Sequence, residues 1–254
     1  MACVSGAIRG GVATHRHASI TGKPAIPLPA TLRGPFPAPK ARMNPPAPIA
    51  LAYMADPMCS WCWGFSPVIE QLRADYADQL PFDVVMGGLR AGAVKPLTAG
   101  QRRIILHHWS EIAAYTGAAF ATEHALPDGF VYDTEPACRA VVVARQMNSE
   151  LALPMLKTLH AAFYAEGRDV TRQDVLVELA AEAGLNAGPF EQAFDSEQAR
   201  QAARSDFARA AEAGVTGYPS LCVTREGHSF PLITGYQPLA QARQMIDRVL
   251  DKFG

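Results

Sequence analysis

Nowhere along the 254 residues do apolar side chains run unbroken for the 18 or more positions that mark a membrane-spanning helix; a stretch such as Ala140 to Ala144 is far too short. Charge of one sign is lacking as well. The 23 Lys and Arg nearly cancel the 24 Asp and Glu, leaving a net charge of −1, so no long-range field favours nucleic acid or an anionic membrane. Five cysteines are too few for a scaffold stapled by disulfides. No internal repeat recurs at a fixed period, which excludes a solenoid. With 49% apolar and 19% charged residues, the balance is that of a globular enzyme or binding domain.

The shortage of acids is local. Residues 1–48 contain six Lys or Arg, no Asp or Glu, and nine of the 20 prolines, so the other 206 carry a net charge of −7. Prolines from Pro24 to Pro39 interrupt any helix or sheet ladder. Residues 1–47 are therefore expected to be a disordered or extended tail. The apolar core of about 7–15 residues that a secretory signal requires is not visible there. Proline spacing also opposes the amphipathic helix of a transit peptide. A solvated tail, or a true start at Met43, remains as the expectation, and the expected compartment is the reducing cytoplasm.

From Pro48 the pattern is α/β. Ile49 to Ala55 has the length and apolarity of a buried strand. Trp63 to Asp78 reads as a helix, with Phe65, Val68, Ile69, Leu72 and Tyr76 on one face and Pro67 placed near its beginning. Pro81 to Met86 reads as a second strand, stopped by Gly87-Gly88. From Thr98 to Gly214 the period is helical, giving five or six helices; Thr171 is the candidate N-cap of one that stops at Gly184. Strands return at Ser220 to Thr224 and Ser229 to Thr234 around an Arg225-Glu226-Gly227 turn, and a helix closes the chain from Pro238 to Lys252. The expected fold is a small α/β domain formed by residues 48–94 and 215–254, with a helical domain, 95–214, inserted into it.

Cys59-Ser60-Trp61-Cys62 stands between the first strand and the first helix. Two cysteines at this spacing in a first helical turn can close a small-ring disulfide. Unpaired N–H groups and the positive end of the helix dipole favour a thiolate on the leading one. Cys59 is thus the candidate nucleophile and Cys62 the thiol that resolves a mixed disulfide. Half of a zinc site is a rival reading. Zinc normally takes four ligands, whereas Cys3, Cys138 and Cys222 are scattered and His107-His108 is not at ligand spacing. Two buried small residues without chemistry are the other rival.

Thr216-Gly217-Tyr218-Pro219-Ser220 leads into the penultimate strand. A Tyr–Pro bond there can be cis at a cost of only about 0.5–1 kcal/mol, although trans is the commoner state, and the residues alone leave both open. Cys138 and Cys222 read as core. Asp133 and Glu135 flank a Pro-led helix start, where acids usually cap. His107, His108 and Trp109 read as packing, with a substrate groove as the lesser alternative.

Strand, C-x-x-C, helix, strand, helical block and proline-led hairpin together resemble the thioredoxin-like superfamily in its DsbA-like branch. Asp56-Pro57-Met58-Cys59-Ser60-Trp61-Cys62-Trp63-Gly64-Phe65 is similar to the protein-disulfide isomerases of that branch. So are Gly87 to Arg90, Phe130 to Arg139 and Phe163 to Val170. The resemblance covers about residues 48–253. It implies a thioredoxin-like fold, disulfide oxidoreductase activity at Cys59 and Cys62, and a cis Tyr218–Pro219 bond against the disulfide. It also implies that the Tyr218 backbone pairs with an extended substrate, so Trp61, Tyr218 and Pro219 are the candidate substrate-binding residues. No cofactor or metal is implied, because the cysteine pair itself carries two electrons. Expected partners are protein or peptide thiols and disulfides, with glutathione or a thioredoxin-type protein recycling the pair. Ser60-Trp61 lacks the histidine of the periplasmic oxidants, which implies a less oxidising couple.

Two rival functions accompany this reading. Glutathione-dependent isomerases or transferases share the helix-inserted fold, but they carry serine at the active helix. A non-catalytic, zinc-stabilised peptide-binding module is the rival of a different class. The proline density of the tail generates the first prediction: a chain starting at Met43 keeps the melting temperature of the full chain, as checked by calorimetry.

Overall fold

The structure, a computed structural model, describes residues 49–122 and 125–253; the expected tail at 1–47 lies outside them. Four strands, β1 (Ala50–Ala55), β2 (Phe82–Met86), β3 (Ser220–Arg225) and β4 (His228–Thr234), form one sheet in the order β2-β1-β3-β4. β1 runs parallel to β2 and antiparallel to β3, and β4 folds back on β3. A parallel pair needs a crossover, here α1 (Ser60–Asp75). β1 is central and buried from Leu51 to Ala55, which explains its continuous apolar run. Its alternate residues serve two faces. Leu51, Tyr53 and Ala55 join the core beneath α1, while Ala52 and Met54 meet Val85, Cys222, Ala210 and Ala213 on the other.

Six α-helices fall between β2 and β3: α2 (Ala99–Thr116), α3 (Glu135–Met147), α4 (Ala152–His160), α5 (Gln173–Glu182), α6 (Ala187–Phe194) and α7 (Glu197–Glu212). α8 (Leu239–Phe253) returns to pack beside α1. α3 is the axis of the block. Every residue from Ala137 to Ala144 is buried, because α4, α5, α6, α7 and β2 all pack against it.

Three local expectations need correction. α1 starts at Ser60, so Pro67 lies inside the helix and removes the amide that would reach Trp63. The cysteine motif itself supplies the first turn, with the Trp63 amide donating to the Cys59 carbonyl at 3.1 Å. Thr171 is not an N-cap; Arg172 occupies that position. The Thr171 amide and hydroxyl both donate to Asp169 Oδ1, at 3.0 and 2.6 Å, in a turn that competes with capping. The hairpin turn is tighter than read, because Glu226 (φ 54°) and Gly227 (φ 79°) form it alone.

The outer edge of β2 is closed by charge. Asp206 of α7 accepts from the Met86 amide at 2.9 Å, and Arg145 of α3 donates to the Val84 carbonyl. Arg145 and Asp206 are joined by two hydrogen bonds of 2.8 and 2.7 Å. The pair satisfies backbone groups that a fifth strand would otherwise take. Asp206→Ala leaves the Met86 amide without its acceptor and takes two hydrogen bonds from Arg145, which keeps the Val84 carbonyl and has Asp83 at 3.8 Å. The expected loss is about 1–3 kcal/mol in urea unfolding.

Candidate functional site

Cys59 is the N-cap of α1, in extended conformation and with no side-chain capping bond. Its amide donates to the Asp56 carbonyl at 3.1 Å, which turns the chain from β1 into the helix. The two sulfurs differ in access. Cys59 retains 6% exposure and Cys62 none. Burial, followed by the neighbouring Cys59, pushes the Cys62 thiol well above the ordinary range.

Across from the motif, the Cys59 thiol donates to the Tyr218 carbonyl at 3.5 Å, and the Tyr218–Pro219 bond is cis. The Tyr218 hydroxyl donates to the Gly87 carbonyl at 2.9 Å. A Cβ on Gly87 would fall 2.0 Å from the Tyr218 ring, so only glycine admits this approach. Burial pushes the Tyr218 hydroxyl up to about 12. Trp61, 37% exposed, meets Tyr115 of α2 and Tyr236 before α8, with ring centroids 5.9 and 6.1 Å away. Tyr115 and Tyr236 themselves stand edge to face at 5.4 Å. Trp61, Tyr115 and Tyr236 thus form one aromatic group, joined to Cys59 through the first turn of α1, which carries Trp61.

Beneath the motif lies a buried polar layer. Asp56 Oδ1 accepts from the Met58 amide at 2.8 Å, and Oδ2 from the Leu89 amide at 2.6 Å and the Cys138 thiol at 3.4 Å. Burial raises the carboxyl above its usual range, and these donors oppose the rise. His160 Nε2 lies 3.1 Å from the Asp56 carbonyl and Nδ1 3.2 Å from Ser66 Oγ. A carbonyl only accepts, so the proton sits on Nε2, and Nδ1 is left as an acceptor that shares the single Ser66 hydroxyl proton with the Cys62 carbonyl. Ser66 Oγ is also 3.1 Å from the Cys62 carbonyl, which ties the ring to the second cysteine.

The structure brings Cys59, Cys62, Trp61, Tyr218 and Pro219 to one place. Cys138 and Cys222 are buried, Cys138 against Asp56 and Cys222 within β3. Asp133 caps, accepting from the Gly92 and Glu135 amides at 2.8 and 3.0 Å. Glu135 pairs with Arg139 at 2.9 Å. Trp109 packs with Phe120, Phe163 and Tyr164, while His107 and His108 reach outward to Glu111. Tyr115, Tyr236, His160 and Ser66 carry no signal in the sequence that would attach them to the motif. Asp56 was visible only as part of the quoted segment. Among the described residues no group of three or more His, Cys, Asp or Glu could hold a metal, and no helix is long and apolar enough to cross a membrane.

The buried imidazole carries a pH dependence. Burial lowers His160 from 6.5 to about 4, so the unfolded chain takes up the proton first. Its contribution to stability is present above pH 6.5 and is lost as pH falls towards 4. The difference amounts to roughly 3 kcal/mol. Asp56, raised by burial, runs in the opposite sense. The slope of stability against pH between 6.5 and 4 is therefore expected to flatten in His160→Gln, measured by denaturant unfolding at several pH values.

The model of the DSBA-like thioredoxin domain matches residues 51–247. A candidate protein disulfide isomerase from Nitrosomonas europaea is 39% identical, covers 83% of this chain and all of its own, and superposes with a TM-score of 0.77. The cytosolic disulfide reductase DsbM from Pseudomonas aeruginosa is 26% identical over 80% of this chain and 98% of its own, with a TM-score of 0.64. Another structure of DsbM is with GSH. The ClpXP adapter protein SpxH of Halalkalibacterium halodurans is 26% identical over 80% of this chain and 68% of its own length. With the fold, the spacing of Cys59 and Cys62 and the match over most of its length in agreement, the chain belongs to the DSBA-like thioredoxin domain family.

Proposed function

We propose that the protein is a thiol–disulfide oxidoreductase acting on protein or peptide thiols through Cys59 and Cys62. The observation that carries this reading is the meeting of the Cys59 sulfur with the Tyr218 carbonyl at 3.5 Å. The reactive sulfur thereby lies beside a backbone group that an extended peptide can pair with. Cys59, the more accessible sulfur, attacks a client disulfide as thiolate. A Cys59–client disulfide forms, and the client's other sulfur leaves with the electron pair. Cys62 then attacks Cys59 Sγ, closing the ring and releasing the client as a dithiol. Two electrons pass from the pair to the client, and the reverse sequence oxidises a client.

Trp61, Tyr218 and Pro219 line the client side, and the pair needs no further cofactor. Two molecules of glutathione would restore the dithiol and leave as glutathione disulfide; the DsbM structure with GSH supports that source of electrons. The same relative, described as cytosolic, supports a cytoplasmic setting. Cysteine at both motif positions counts against the glutathione-dependent isomerases. A second reading follows from the SpxH likeness: the exposed Trp61 and Tyr115, with the half-buried Tyr236, would hold a protein partner without turnover.

The test is to equilibrate wild type and Cys59→Ser across glutathione redox buffers and count free thiols by mass. A reversible two-electron transition is expected in wild type alone. If none occurs, exchange is abandoned, and partner retention by Cys59→Ser would then favour the holding role.

A further inference from the structure

The scheme above leaves one buried group without a task. Tyr53 stands in the middle of β1, paired with Val84 and Leu221, and has no exposure. Strand alternation sends its side chain into the core that holds Cys59, Cys62 and Phe65. Its ring lies 6.1 Å from that of Phe65, which stands one helical turn after Cys62 on the buried face of α1, so the phenol shares the enclosed space under the second cysteine. That hydroxyl has no hydrogen-bond partner. Phenylalanine would fill the same space without an unsatisfied polar atom, so a hydroxyl here costs stability unless an acceptor is formed at some stage.

Exchange creates such an acceptor. When a thiolate attacks Cys59 of the oxidised pair, the Cys59–Cys62 bond breaks and its electron pair stays on Cys62 Sγ, inside a site closed to water. The other donors around the motif are engaged. The His160 ring nitrogens meet Asp56 and Ser66, Tyr132 donates to the Met58 carbonyl at 2.7 Å, and the Asp56 oxygens only accept. Resting on the exchange reading, we propose that Tyr53 is a catalytic residue whose hydroxyl donates a hydrogen bond to the Cys62 thiolate as that sulfur leaves or attacks. The phenol keeps its proton throughout, and no electron passes through it. In the resolving direction the same contact stabilises the Cys62 thiolate before it closes the ring. Burial holds both groups well above their ordinary pKa ranges, the phenol because it is enclosed and Cys62 for the same cause. A donor that stays protonated therefore faces a sulfur that ionises with difficulty.

Tyr53→Phe removes only this oxygen, and Tyr164→Phe is its control. The Tyr164 hydroxyl is also buried without a partner; its ring packs with Trp109, Phe120, Phe163 and His160, and after burial it is Tyr132 and Cys59, rather than Cys62, that push the hydroxyl up. Alkylation of Cys62 would be followed against pH by peptide mass in a Cys59→Ala background, where no new hydroxyl enters. The opening rate of the oxidised pair by reduced glutathione would be measured in the chain with both cysteines. Tyr53→Phe is expected to lower both rates about tenfold with an unchanged or higher melting temperature, and Tyr164→Phe to leave both rates alone. Unchanged rates at Cys62, whatever happens to the melting temperature, would overturn the assignment, as would an equal loss in Tyr164→Phe. Absence of a reversible pair in wild type would instead defeat the exchange reading, and the alkylation of Cys62 would still score Tyr53.

Discussion

A carboxylate in a dry interior must have its oxygens filled, and the Asp56 side chain meets that demand by drawing together three separate parts of the chain. It takes an amide from the turn before α1, an amide from the loop after β2, and a thiol from α3. Its backbone carbonyl takes the His160 ring from the end of α4. Each donor offsets part of the desolvation that burial imposes. The outcome is geometric as well as energetic. The β1–α1 turn carrying the cysteines cannot shift without disturbing the loop that carries Gly87, and Gly87 in turn receives Tyr218. The distance between the Cys59 sulfur and the Tyr218 carbonyl is set by this chain of satisfied groups.

The parts of the fold that the sequence makes legible are those governed by local pattern. β1 announces itself as a buried apolar run, β2 by its glycine stop, and the last hairpin by two short strands around Glu226-Gly227. The cysteine pair is legible because its chemistry depends on spacing and on the strand-to-helix setting. Partners from distant segments are a different matter. Tyr218 is 159 residues from Cys59, and His160 is 104 from Asp56; no periodicity links them. Asp206 and Arg145 look in sequence like surface charges of two helices. Asp206 is buried and Arg145 half-buried because α3 and α7 both lean on β2. The start of α1 is illegible in the sequence for a related reason. Cys59 provides none of the usual side-chain capping signals, and the helix begins on the motif's own backbone.

The two cysteines occupy unequal ground, and the inequality comes from the fold. Cys59 caps the helix with a trace of exposure, its sulfur against the Tyr218 backbone. Cys62, one turn further in, sits over the buried layer of Tyr53, Asp56, Ser66 and His160. The outer sulfur has shape and backbone around it, which suits selection of a partner. The inner one has polar groups, which suits control of charge.

The sheet ends differently on its two sides, yet neither side invites addition. At β2 an ion pair from two helices takes the backbone groups of the rim. At β4 Pro231, opposite Cys222 beside a shift in register, withholds an amide from any newcomer. With both rims blunted, an extended segment finds no template for endless strand stacking, so crowding does not seed edge-to-edge aggregation from this sheet.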